Sequence, residues 1–462
     1  MRSHGWHPAR VVPLGFVGLI AIGTGALMLP VSRTGDQDPH LFIDALFTSV
    51  SAACVTGLTV VDTATYWTPF GQAVIMALIQ IGGIGVMSLA TLLTLLVVGR
   101  LGVQATLVAQ TDSHTVAPGD VAHALKVIVG SSLAFEVIIA ASLTADYLRT
   151  YHESLGSALW HGTFHAVSAF NNAGFALYSD NIVAFRHDPW FILTICLAII
   201  AGGIGFPVYR ELLSQRRRVW RALRGAPYHW HSGRQRAKPL SVHARITLLG
   251  YFGLATISIF SFSLAEWNNP GTLAGMRPLD KLLVAVMSGI TPRTAGFNVI
   301  DYGQAEPETQ LLDSIMMFIG GGSAGTAGGI KVGTFVLLGF AIFAEMRGEP
   351  QVLVGHRAIS ADTLRQALSV ALLGVAAVVA GTIALMGLSD HPLGPVLFEA
   401  ASAFGTTGLS TGLTPTFGDA GKSVLIALMF IGRLGPISVA TALALNTRER
   451  LYRFPEERPI VG

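Results

Sequence analysis

The chain has 462 residues, of which 51% are hydrophobic and 12% charged; its formal net charge is +3 and its mean hydropathy +0.57. Soluble globular chains carry about 25% charged residues, so this composition excludes a water-soluble fold of this length, a disordered chain and a nucleic-acid-binding protein. Two cysteines exclude a disulfide scaffold, and 52 glycines without a collagen period suit closely packed membrane helices.

A bilayer core takes about 20 apolar residues of helix. In chain order such runs fall near 11–30, 71–98, 121–148, 190–209, 243–266, 311–346, 364–388 and 423–446, which predicts eight spans. The first run has no small-residue cleavage site and reads as a span rather than a signal peptide. Between the spans lie four shorter apolar segments, 41–55, 156–170, 278–290 and 394–404, each ending in a Gly-containing turn. Segments this short read as re-entrant helices. Cys54 and Cys196 read as small buried hydrophobes.

The order span, short helix, turn, span therefore occurs four times, and the residues repeat with it. FTSVSAACVTGLT (47–59), FHAVSAFNNAGFA (164–176) and FEAASAFGTTGLS (398–410) each place Phe ten residues and Ser six residues before a glycine. The third copy, AVMSGITPRTAGFN (285–298), keeps Ala-Gly-Phe but has its Ser288 eight residues before Gly296. The turn glycines Gly57, Gly174, Gly296 and Gly408 are 117, 122 and 112 residues apart. A second repeat follows each turn: IGGIG (81–85), AGGIG (201–205), IGGGSAG (319–325) and IGRLG (431–435), which aligns Gly83, Gly203, Gly321 and Arg433. The expected units are 1–100, 101–220 (with a cytoplasmic loop 210–242 following), 221–350 and 351–462. The fold class is an all-α polytopic membrane protein with pseudo-fourfold symmetry about a central pore.

With the N-terminus cytoplasmic and eight spans, both termini face the cytoplasm. Cytoplasmic segments then hold 22 Lys/Arg and 9 acids; outer segments hold 7 and 17. This is a positive-inside pattern, and it puts all four turns on the outer side. Re-entrant backbone is tolerated in a membrane where it lines a watery cavity. Four glycine turns around one axis can present a ring of carbonyls that replaces the hydration shell of a monovalent cation. Each short helix aims its partly negative C-terminal end at that ring. Asp62, Asp180 and Asp301 follow their glycines by five, six and five residues. They read either as a cation-concentrating outer mouth or as caps of the next helix, and the two roles can coexist.

These units, the turns TGL, NAGF, RTAGF and TTGL, and the lone arginine of the last span resemble the Trk/Ktr/HKT superfamily of potassium transporters over nearly the whole chain. The resemblance is nearest to the KtrB-type membrane subunit, because the first span leads directly into the first short helix. It implies a selectivity filter at Val55, Thr56 and Gly57, at Asn172, Ala173 and Gly174, at Thr294, Ala295 and Gly296, and at Thr406, Thr407 and Gly408. In related plant members a serine in the first turn accompanies sodium preference, so Gly57 resembles the potassium-selective pattern. The resemblance also implies potassium as substrate, sodium as a candidate activator, a homodimer, and a cytoplasmic ring of nucleotide-binding regulatory subunits. The chain itself carries no nucleotide motif, no cofactor motif and no matched nucleophile and base. The expected location is the plasma (inner) membrane.

The sixth long run is interrupted by glycine-rich sequence at 319–333. Gly320, Gly321, Gly322, Ser323, Gly325, Thr326, Gly328 and Gly329 oppose a continuous helix, since each glycine costs about 1 kcal/mol relative to alanine. The stretch reads as an irregular loop facing a cavity or as a close-packing seam; the resemblance favours an intramembrane gate. An arginine at mid-membrane is costly, so Arg433 is expected to donate to carbonyls of this loop, the alternative being a pair with Glu136. Lys331 is expected to snorkel to the cytoplasmic interface. His161 and His165 read as helix packing, and the basic segment 210–245 as a surface for anionic lipid or a soluble partner. A second functional reading is a secondary transporter of a monovalent cation driven by sodium or protons, with Glu136 as the intramembrane carboxylate.

Overall fold

The computed structural model describes residues 8–35, 40–85, 118–213, 240–355 and 357–435. The loop expected to be cytoplasmic, most of 210–242, and the tail from 436 lie outside the described residues, as do the ends of the runs at 71–98 and 423–446. The described helices are α1 (Pro8–Leu27), α2 (Leu41–Ala53), α3 (Pro69–Gly85), α4 (Pro118–Arg149), α5 (Leu155–Phe170), α6 (Pro189–Ile204) and α7 (Phe206–Leu213). They continue with α8 (Val242–Glu266), α9 (Pro278–Ile290), α10 (Pro307–Phe318), α11 (Val332–Met346), α12 (Ala361–Gly387), α13 (Leu393–Gly405) and α14 (Asp419–Leu434). Among the described residues the strand pairing is a two-residue antiparallel pair, Leu353–Val354 with Arg357–Ala358, and two isolated bridges, Arg33 with Trp67 and Ile319 with Ile330.

Helix starts follow local chemistry. Ser154, Ser241 and Ser360 accept from the backbone N–H three residues on, and Asp188 accepts from Trp190 and Phe191 N–H. Pro189, Pro278 and Pro307 occupy first helical positions, where a missing N–H costs nothing.

Lys126–Arg149, Val242–Glu266 and Ala361–Gly387 are each long and apolar enough to cross a membrane. Their apolar faces turn outward. On α8, Leu249, Ile257, Phe260 and Leu264 are exposed while Thr247, Ser258 and Glu266 are buried. An apolar face turned outward suits a hydrocarbon surrounding. The run at 190–209 is not the straight span expected. It bends by 100° between α6 and α7. The break is at Gly205, which has φ +98°, and the adjoining Phe206 N–H donates to Ala324 O of the 319–331 segment. The 311–346 run is broken as expected: α10 ends at Phe318 and α11 begins at Val332.

The second sequence repeat has a steric cause. A β-carbon at Gly82, Gly202 or Gly432 would lie 2.0, 1.7 or 1.8 Å from the carbonyl oxygen of Ala53, Phe170 or Phe404. The first glycine of each motif thus lets the following helix press on the C-terminal end of the short helix before it. In the third unit, Gly320 meets Gly328 O instead, because the irregular loop intervenes.

Candidate functional site

The four short helices α2, α5, α9 and α13 each run into a turn of one form. Val55, Asn172, Thr294 and Thr406 have φ of 56, 59, 66 and 48°, and the glycines two residues later have φ of 93, 70, 73 and 95°. Two left-handed residues flanking an ordinary one let a chain reverse without a side chain at the tip. A polar side chain clamps each turn. Ser51 Oγ donates to Leu58 O and accepts from Gly57 N–H, at 2.7 and 3.1 Å. Ser168 Oγ donates to Phe175 O (2.7 Å), and Ser402 Oγ accepts from Gly408 N–H (3.1 Å). In the third unit Thr291, not Ser288, takes this part, its hydroxyl donating to Phe297 O at 2.7 Å. Thr291 lies five residues before Gly296, where the other clamps lie six before their glycines, and Ser288 at eight is too far back inside α9.

The turns close head to tail. A β-carbon at Gly57 would lie 2.2 Å from Ala173 O; at Gly174, 2.9 Å from Ala295 O; at Gly296, 2.3 Å from Thr407 O; and at Gly408, 2.2 Å from Thr56 O. The middle carbonyl of every turn therefore abuts the glycine of the turn before it in the ring, from the first unit round to the fourth and back. Such a ring is chemically suited to a monovalent cation stripped of water.

Above the ring is an open cavity of about 530 Å³ lined by Gly57, Gly174 and Gly408 and by Asp62, Asp180 and Asp301. All three aspartates line this cavity; Asp301 caps the short 3-10 helix Tyr302–Gln304, whereas Asp62 holds a turn rather than the start of α3. Asp62 accepts from Ala64 N–H (2.8 Å) and Thr65 Oγ1 (3.0 Å), and Asp301 from Gly303 N–H (2.9 Å), while both line the cavity. On the outer surface, the Arg277 guanidinium hydrogen-bonded to Asp280 holds that carboxyl below the usual carboxylate range, against a smaller opposing effect of burial and with help from His187.

Below the ring, residues 319–331 form an irregular loop whose ends pair as a parallel bridge at Ile319 and Ile330. Its interior is held by other units: Gly322 N–H donates to Gly203 O (2.8 Å) and Thr326 N–H to Gly202 O (3.2 Å). Thr326 is the node. Its hydroxyl reaches Asn172 Oδ1 at 3.2 Å, and its carbonyl accepts from Arg433 Nη1. Arg433 Nη2 donates to Gly82 O at 3.1 Å, and the side chain is 4% exposed. One arginine thus joins the first and fourth units to the loop of the third.

One alternative falls away and one expectation is overturned. Glu136 does not pair with Arg433, which donates to the loop as expected; its carboxylate accepts from Gln80 Nε2 (2.8 and 3.0 Å) and Asn171 Nδ2 (3.1 Å), an amide-lined seat with no cation among the described residues. Lys331 does not snorkel. Its ammonium folds back to Ala327 O (2.6 Å) and Gly328 O (3.0 Å), since loop carbonyls without helical partners are nearer than water. His161 and His165 hold the outer end of α5, through Glu153 (3.1 Å) and Leu177 N–H (3.3 Å) respectively.

Sequence reasoning passed over several buried polar groups. Lys422 and Asp44 form a 2.6 Å ion pair joining α14 to α2. Glu399 accepts from Ser410 Oγ (2.7 Å) and Thr411 N–H (2.8 Å), fixing the segment after the fourth turn. Arg293 is fully buried, with Nη1 on Ile319 O at 2.8 Å. A carboxylate or guanidinium within an apolar short helix or turn was the available signal.

With this geometry in place, comparison with known proteins is informative. The family model TrkH, described as a cation transport protein, matches residues 15–450. The Ktr system potassium uptake protein B of Bacillus subtilis is 38% identical over 455 residues, covering 98% of this chain and 97% of that protein. The protein of the same name from Vibrio alginolyticus is 32% identical, covering 100% and 96%. The crystal structure of the potassium transporter TrkH from Vibrio parahaemolyticus superposes with a TM-score of 0.71 at 17% identity, covering 96% of this chain and 86% of that one, a likeness of fold.

Proposed function

Because the chain belongs to the TrkH family of cation transport proteins, we propose that it is the potassium-translocating membrane subunit of a Ktr/Trk-type uptake system, a multi-pass protein of the plasma membrane. Eight spans in four units, with both termini cytoplasmic, account for the charge asymmetry and for the outward apolar faces. The observation that carries the reading is the closed ring of Thr56, Ala173, Ala295 and Thr407 carbonyls against the turn glycines. A dehydrated potassium ion is held by carbonyls of the four turns, after concentration by Asp62, Asp180 and Asp301. The 319–331 loop, latched by Arg433, is the gate beneath.

No nucleotide site is proposed in this chain. Control by nucleotide falls to a cytoplasmic regulatory subunit of the system, docking on the basic inner face of a homodimer, with sodium as a candidate activator. Glu136 is read as a brace between α3 and α5 rather than as the carrier of a coupling proton, because three amide hydrogen bonds already hold its carboxylate.

The test is cation flux in liposomes holding the full chain together with the regulatory subunit, under potassium, sodium and choline gradients. Potassium-selective flux is expected, with selectivity relaxed by Gly57→Ser and basal flux raised by Arg433→Ala. Native selectivity in Gly57→Ser would remove the filter from these turns. Unchanged basal flux in Arg433→Ala would remove the latch.

A further inference from the structure

The ring and the loop are not separate parts. Three of the four turns rest on the loop: Thr326 Oγ1 meets Asn172 Oδ1 at 3.2 Å, a β-carbon at Gly328 would lie 2.0 Å from Thr406 Oγ1, and one at Gly320 would lie 3.3 Å from Thr294 Cγ2. Arg293, one residue before the third turn, is the strongest tie. Its carbonyl accepts from Asn172 Nδ2 of the second turn at 3.3 Å. Its guanidinium donates to Ile319 O at 2.8 Å and to Met316 Sδ at 2.7 Å, at the point where α10 gives way to the loop. The side chain is fully buried, where an arginine is costly unless its donors are used. The buried Asp313 carboxylate lies within its electrostatic reach, so the guanidinium is also that group's counter-charge. The fork spans two elements that a moving loop would pull apart.

We propose that Arg293 is a positioning residue that makes cation occupancy of the ring and the position of the 319–331 loop depend on one another. A cation drawing the turn carbonyls inward fixes Arg293, and Arg293 fixes the loop entry at Ile319; a displaced loop entry shifts the third turn in return, since coupling is reciprocal. The inference rests on the filter reading above, and the experiment separates the two.

The measurement is hydrogen–deuterium exchange of the 319–331 peptide in the purified full-length protein, in potassium and in choline, beside the melting temperature in each. In the native chain, potassium raises the melting temperature, as a ligand of the folded state must. It also slows exchange of the loop about tenfold, the scale of one charge-assisted hydrogen bond to a carbonyl. In Arg293→Gln, potassium still raises the melting temperature, but the potassium-to-choline exchange ratio of the loop falls to about one. Arg293→Lys, which keeps the charge and one donor, recovers part of the ratio. A residue that merely stabilised the fold would speed loop exchange equally in both salts and leave the ratio near ten, which overturns the proposal. Should Arg293→Gln fail to fold, Arg293→Lys carries the test alone: a ratio still at the native ten there overturns the proposal. Potassium stabilisation without any loop response in the native chain refutes the coupling alone. No stabilisation by potassium refutes the filter reading and the coupling with it.

Discussion

Substituting Gly57 by alanine tests the closed ring most directly. The new β-carbon would sit 2.2 Å from Ala173 O and 3.1 Å from Gly174 Cα. Carbon–oxygen contacts settle at about 3.3 Å, so the first and second turns must separate by about 1 Å. Gly57 also has φ +93°, a conformation costing an L-residue roughly 1–3 kcal/mol. Overpacking a close contact adds about 1–3 kcal/mol. The total, about 2–6 kcal/mol, falls where two rigid turns meet, and the Ala173 carbonyl moves off the ring. The appropriate control is Gly253→Ala on α8, where nothing lies within 4 Å and the helix should tolerate or favour alanine. The assay is potassium-dependent thermal stabilisation with selectivity from liposome flux. Gly57→Ala is expected to lose most of the potassium-induced rise in melting temperature and to admit sodium, while Gly253→Ala keeps both. Equal behaviour of the two variants would mean that the first turn does not abut the second as described.

The Asp44–Lys422 pair, with both side chains less than a tenth exposed, ties α2 to α14 across 378 residues of sequence. Asp44→Asn leaves a buried ammonium without its counter-charge and should cost about 3–5 kcal/mol, seen as a lowered melting temperature that Lys422→Met restores in the double variant; an unaltered melting temperature in Asp44→Asn would refute a net structural role. Asp280, its carboxyl held low by Arg277, contributes stability that is fully present above its unfolded pKa and is lost as pH falls through its lowered folded value. Asp280→Asn should therefore melt below the native protein at pH 7, and the difference should shrink on acidification below the ordinary carboxylate range. A difference that held constant from pH 7 to pH 3 would show that Asp280 acts through shape rather than charge.

What could be read from the residues alone depended on whether the cause was local. The four short helices begin and end within two residues of expectation, because apolar length and a glycine turn are properties of contiguous sequence. The IGG motifs were visible as a repeat. Their reason, a helix pressed against the carbonyl end of the preceding short helix, appears only when Gly82 is found beside Ala53 and Gly202 beside Phe170. Arg433 stood out because it replaces a glycine in an aligned series, and its reach to the loop follows from the cost of burying it. Which acceptors it takes did not follow. Glu136 was equally available by composition, but Gln80 and Asn171 already occupy its oxygens. The 100° break at Gly205 was not expected from the apolar run at 190–209, although the last glycine of IGRLG, Gly435, has a similar backbone, φ +85° against +98°. The break goes with a remote contact, Phe206 N–H on Ala324 O.

The same distinction explains why the third unit departs from the others. Three units place a glycine against the carbonyl end of their short helix; the third inserts a loop there, and its clamp moves from serine to Thr291. Symmetry in the ring is thus kept while symmetry below it is given up. The loop's free backbone groups are taken by Gly202, Gly203 and Phe206 of the second unit and by Arg433 of the fourth, which also holds Gly82 of the first. A continuous helix in that place would satisfy its own backbone and need none of these partners. The loop instead takes its hydrogen bonds from the second and fourth units and from its own, so it can leave only by breaking bonds at several points together. Packed elements held in this way exchange between discrete arrangements rather than along a continuum, which is what the proposed gate requires.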